Sequence, residues 1–96
     1  MAKYEIMYIV RGDIDENLVK ETAKSFEKVL KDKKAKIESS KELGQKKLAY
    51  EIKKVKNGYY FLLNIEASDE AVAEFDRKAL INENVLRHLI INLDKE

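Results

Sequence analysis

The chain has 96 residues, a formal net charge of +1, 45% hydrophobic and 39% charged residues, one histidine, and neither cysteine nor proline. A chain this short is expected to form one domain, 1–96, with one layer of helix on one layer of sheet and about 60–70% of its unfolded surface buried. The composition excludes a disulfide framework, a thiolate metal site and a thiol nucleophile; no apolar run reaches membrane-span length, and Met1-Ala2-Lys3-Tyr4-Glu5 lacks an apolar signal region, so a cytoplasmic location is expected.

From Lys3 to Val10 the residues alternate, with Tyr4, Ile6, Tyr8 and Val10 on one side and Lys3, Glu5, Met7 and Ile9 on the other. That pattern is a strand. Arg11-Gly12-Asp13-Ile14-Asp15 ends it, and Asp15 is a good N-cap, with Ile14 and Val19 spaced as a hydrophobic staple. Leu18, Thr22, Phe26, Val29 and Leu30 follow at helical spacing and predict an amphipathic helix over 15–32. Residues 36–52 read as a long strand. Ile37 and Ser39 share one parity and Leu48, Tyr50 and Ile52 the other, so a bulge or bend in a long strand, or a short turn, is expected near Gly44. Val55-Lys56-Asn57-Gly58 carries a hairpin signal. Residues 58–66 are the most strand-like in the chain. Ser68 caps a second helix, 69–82, whose first turn holds Asp69 and Glu70 and whose apolar stripe is Val72, Phe75, Ala79 and Leu80. A last strand, 85–93, and the polar tail Asp94-Lys95-Glu96 complete the chain.

The order strand, helix, strand, strand, helix, strand is that of an α+β, ferredoxin-like βαββαβ fold: a four-stranded antiparallel sheet with two helices on one face. The crossover rule is taken to place the first and last strands centrally and the second at an edge. Within 58–66, Tyr59, Phe61, Leu63 and Ile65 form a wholly apolar set and are assigned to the helix-covered face. Tyr60 and Leu62 then join Met7, Ile9, Leu89 and Ile91 on the open face, which is too apolar for a surface that meets only water and suits a protein partner.

Few enzyme readings survive. His88 stands alone in a strand, with no serine or carboxylate at a dyad spacing. With one histidine and no cysteine no metal constellation forms, and no cofactor or small-molecule substrate is expected. The Arg11-Gly12 loop has elements of a phosphate-binding loop, but Asp13, Asp15 and Glu16 crowd it with negative charge. An RNA-recognition motif aligned from Asn57 matches at Gly58, Tyr59 and Phe61 and fails at Asn57, Tyr60 and Asn64. Its base-stacking aromatics face the open side, whereas here Tyr59 and Phe61 face the helices. Charge is more informative. Residues 31–56 carry ten lysines against four acids, and residues 57–84 two bases against six acids. A domain sorted in this way can present one basic end to a phosphate backbone.

Gly44-Gln45-Lys46-Lys47-Leu48-Ala49-Tyr50-Glu51-Ile52-Lys53 resembles the signature of the bacterial small-subunit (30S) ribosomal protein six family: glycine, a base, Leu-Ala-Tyr and isoleucine at fixed spacing. Tyr4-Glu5, Glu42-Leu43, Gly58-Tyr59, Asn84-Val85 and Arg87 extend the likeness over residues 3–93; Lys47 departs in type, an arginine or other polar residue being usual there. The resemblance implies a ribosome-associated structural protein that binds the central domain of small-subunit (16S) ribosomal RNA together with small-subunit ribosomal protein eighteen. Lys46 and Lys47 become the first expected phosphate contacts, and Lys3, Lys53, Lys54 and Lys56 the second. Arg87 is expected either at the RNA or in a salt bridge to Glu5, and Tyr50 either in the core or stacked at the RNA edge. The competing class is a ferredoxin-like regulatory or oligomerisation module holding a small ligand on its open sheet face; the lack of glycine-rich ligand loops argues against it.

Overall fold

In the computed structural model, which describes residues 1–94, the chain runs β1 (Ala2–Arg11), α1 (Glu16–Asp32), β2 (Lys36–Ile52), β3 (Val55–Ala67), α2 (Asp69–Ile81) and β4 (Val85–Asn92). Lys95 and Glu96, the end of the expected polar tail, lie outside the described residues. The strands form one antiparallel sheet in the order β2-β3-β1-β4. This corrects the expected placement of the last strand: β4 is an edge strand, and β1 and β3 are central. The reason is topological. Each strand–helix–strand unit leaves a gap one strand wide. β3 fills the gap between β1 and β2, and α2 then carries the chain over β1 to its far side.

The alternation along β1 and β3 decides which face meets the helices. Tyr4, Ile6, Tyr8 and Val10 of β1 join Phe61, Leu63 and Ile65 of β3 beneath Val19, Phe26 and Leu30 of α1 and Ala71, Phe75 and Ala79 of α2. At the centre Tyr8 stacks on Phe61, its register partner, with ring centroids 5.0 Å apart, and meets Phe26 edge-on at 5.1 Å. These offset and edge-on geometries are the favoured ones for aromatic pairs. The helices cap as their sequences require: the Asp15 carboxylate accepts from the Asn17 amide at 2.8 Å, and the Ser68 hydroxyl from the Ala71 amide at 3.2 Å. Their buried stripes differ slightly from the expected ones. Leu18 and Leu80 are exposed, and Val19 and Ala71 are buried in their place. Each apolar arc is wider than the space above the sheet, so its outermost member stays in water.

The register of β2 against β3 shifts three times, at Glu38, at Leu43 next to Gly44 and between Lys47 and Ile52, where one flip had been expected near Gly44. The hairpin turn also lies elsewhere than expected. Ile52 pairs with Val55, so Lys53 and Lys54 are the two-residue loop, with φ of 53° and 65°. Asn57 and Gly58 lie within β3, paired with Lys47 and Lys46. Gly58 is needed there for close approach, because a Cβ would come 2.4 Å from the Ile9 Cγ2 methyl. Two positive φ values are the pattern of a type I′ turn, which suits the twist of a hairpin. For lysine, the left-handed backbone costs roughly 1–2 kcal/mol per residue.

Candidate nucleic-acid interface

β1 ends opposite Gly58, and the β2–β3 hairpin continues past it. This extension is folded back on the open face of the sheet. Leu48 of β2 and Val55 of β3 pack with Ile9 of β1 and Leu86 of β4 in a second, smaller cluster, flanked by Ile52 and Tyr60. Leu86 is available because β4 bulges against β1 between the Ile9–Arg87 and Val10–Val85 pairs. Two polar ties reinforce the packing: Arg87 Nη1 donates to the Tyr50 hydroxyl at 3.2 Å, and Lys53 Nζ to the Val85 carbonyl at 3.4 Å. At its base the Gly12 amide donates to the Asn57 carbonyl at 2.8 Å, a contact so close that a Cβ on Gly12 would come within 2.7 Å of that oxygen.

The hairpin gathers most of the expected phosphate contacts. Lys46, Lys47, Lys53, Lys54 and Lys56 are all exposed along it, with Glu51 the only acid between 46 and 56. None of the five joins an ion pair with a described acid. Lys46 Nζ lies 5.6 Å from the centroid of the Tyr60 ring, within cation–π range. Arg87 lies on the same side and points to Tyr50, so the pairing with Glu5 weighed as one reading does not form; Glu5 lies opposite Ile91, four register pairs further along the sheet. Tyr50 is 62% exposed, which removes the core reading for it. Lys3 stands apart. It pairs with Glu66, eight residues of β1 from the hairpin base, a separation of about 27 Å along a strand.

The open face carries the other expected surface. Rows of register partners cross the sheet: Arg87–Ile9–Tyr60–Gly44, then Leu89–Met7–Leu62–Lys41. Leu89 and Ile91 are exposed and Met7, Tyr60 and Leu62 half-buried, while Ile9 is 5% exposed beneath the hairpin cluster and offers little surface. Met7, Ile9, Tyr60, Arg87 and Leu89 line a shallow depression of about 290 Å³. Sequence reasoning missed the cluster that holds the hairpin against this face. The signal was present in Leu48, Ile52 and Val55, but Leu86 becomes available only through the β4 bulge.

The Arg11 loop is engaged otherwise than a phosphate site requires. Arg11 Nε and Nη2 donate to the two Asp13 carboxylate oxygens at 2.6 and 2.9 Å, and the guanidinium holds the Asp13 carboxyl below the usual carboxylate range. The folded sheet supplies one partner that spacing did not suggest. His88 Nε2 lies 2.6 Å from Asp76 Oδ1 of α2, on the helix-covered face beside Phe75. The two stand twelve positions apart in the chain and meet only through the α2–β4 packing. Their part-buried contact ties helix to strand at the edge of the main core. Among the described residues no group of three or more His, Asp or Glu could hold a metal ion, and no helix is long and apolar enough to cross a membrane.

An antiparallel βαββαβ sheet with one face sealed by helices and the other left open beside a cationic hairpin defines a ferredoxin-like binding scaffold. The family model described as ribosomal protein S6 matches residues 3–92, and the chain belongs to that family. The crystal structure of 30S ribosomal protein S6 from Thermotoga maritima is similar in fold: TM-score 0.89 at 23% identity, covering 95% of this chain and 86% of that one. The family is one of structural proteins of the small ribosomal subunit rather than of enzymes, which places the chain in an assembly with ribosomal RNA.

Proposed function

We propose that the chain, as one domain over residues 1–96, binds the central domain of 16S ribosomal RNA jointly with small-subunit ribosomal protein eighteen in the cytoplasm, with no catalysis and no cofactor. The observation that carries this reading is a lysine-rich hairpin held immediately beside an apolar open face. Lys46, Lys47, Lys53, Lys54, Lys56 and Arg87 contact phosphate, Lys3 a separate strand of RNA, and Met7, Tyr60, Leu62, Leu89 and Ile91 the protein partner. The charge is modest and lysine-based, so the chain alone binds weakly and the pair tightly, both with steep salt dependence. The open-face depression of about 290 Å³ falls at the lower limit of small-ligand sites, which does not favour a ligand module.

Filter binding of a central-domain transcript, with and without ribosomal protein eighteen, tests the proposal across a salt series. Equal and salt-independent affinity with and without the partner would refute it.

A further inference from the structure

Among the described residues, all three non-glycine positions with positive φ are lysines: Lys34, Lys53 and Lys54. Lys34 has a local purpose. It follows the Lys33 cap, and its amide and that of Ala35 donate back to the Lys31 and Leu30 carbonyls at 2.9 Å, closing α1 as a glycine would. Lys53 and Lys54 sit where Asn-Gly is the sterically suited pair. The chain does possess an Asn-Gly, four residues on, and uses it inside β3. The turn therefore carries two adjacent cations against its own backbone preference. Local rules broken in this way are expected at functional positions.

Three further observations say what the function is. The tip does not hang free: Leu48 and Val55, on either side of it, are 7% and 3% exposed in the second apolar cluster, so the turn is held at a set place relative to the sheet. Both lysines are exposed and neither is neutralised by a described acid. Lys53 Nζ is steadied by the Val85 carbonyl at 3.4 Å, and with Lys46, Lys47 and Lys56 the pair gives residues 46–56 five lysines against one acid. Lysine acts as a point charge and reads no base edge, so this arrangement fits a sugar–phosphate backbone. We infer that Lys53 and Lys54 form a rigidly mounted, sequence-independent phosphate anchor for ribosomal RNA, kept at this turn at the expense of hairpin stability. The inference rests on the RNA-binding reading above.

The test compares full-length variants by thermal melting and by binding to the central-domain transcript with ribosomal protein eighteen present. Lys53→Asn with Lys54→Gly should raise the Tm by roughly 5 °C. The same pair should weaken RNA binding about tenfold and reduce the slope of log affinity against log salt by about 1.5. Lys53→Gln with Lys54→Gln should lose the same affinity without the gain in Tm. Lys34→Gly, relieving the same backbone conformation at the opposite end of the sheet, should raise the Tm and leave RNA binding unchanged. A fall in Tm for the Asn-Gly variant, or wild-type affinity and salt slope for it while Lys46→Gln with Lys47→Gln weakens binding, would overturn the anchor. If neither lysine pair alters binding, the RNA reading of the hairpin fails and the anchor with it.

Discussion

Among the described residues two apolar clusters lie on opposite faces of one sheet, and they differ in kind. The cluster under the helices is built around Tyr8, Phe26, Phe61 and Phe75, with buried members from five of the six elements and Ile37 of β2 packed against it. The cluster on the open face has four buried members, Ile9, Leu48, Val55 and Leu86, and joins a hairpin to the strands it crosses. The first decides whether the chain folds. The second decides where its lysines sit. A small protein can thus separate stability from placement of charge by using the two faces of a sheet for different purposes.

The largest expected effect comes from the main core. Phe61→Ala removes the ring stacked on Tyr8 and should cost about 3–4 kcal/mol in urea melts. The fraction that remains folded should bind RNA and partner as before; lost binding in that fraction would break the division between the clusters. Leu48→Ala should cost about 2 kcal/mol, at the low end for such truncations because the small cluster can collapse. Its signature is local: faster amide exchange at Val55 and weaker RNA binding, with the main core unaltered. Uniform loss of protection across β1 and β3 would show instead that the two clusters unfold as one.

Tyr60→Ala sharpens the comparison at the boundary, since the ring is half-buried against the hairpin cluster and lines the open face. Partner binding should weaken by about 1–2 kcal/mol, as for a buried aromatic anchor, and by more than stability falls. The reverse order in paired titrations and melts would assign Tyr60 to the fold alone. The smallest effect is a titration. Burial raises the pKa of Tyr8 far above its ordinary 10.0, so the folded form keeps the phenol neutral while the unfolded chain ionises it. Stability from this group is therefore intact below pH 10 and declines as pH rises beyond it, by about 0.8 kcal/mol at pH 10.5. Tyr8→Phe should remove this component of the alkaline loss, and Leu48→Ala should leave it in place.

Much of the arrangement was legible in the sequence because strand parity is a strict rule. Alternation alone placed Tyr59 and Phe61 under the helices and Tyr60 and Leu62 on the open side, which is where they lie. Composition along 31–56 suggested one basic end, but the fold divides it: Lys46 to Lys56 gather on the hairpin, while Lys34 and Lys36 lie at the opposite end of the sheet. The features that escaped depend on interactions across the sheet. Asn57-Gly58 read as the turn because the dipeptide suits one, but Gly58 serves a close approach to Ile9 that only the folded sheet creates. His88 and Asp76 meet only when α2 docks beside β4. The position of β4 followed from which gap β3 fills, a choice that no single strand encodes.

β2 is a 17-residue strand with one side unpaired, a length at which an open edge readily recruits a neighbouring molecule. Its bulges at Glu38 and Leu43 and the irregularity between Lys47 and Ile52 shift the register three times, so no second flat strand can follow it for more than a few residues. Lys36, Lys41 and Lys46 add repulsion between like copies along the same edge. The irregularity of β2 therefore keeps newly made chains from zipping together into sheets before they meet their RNA.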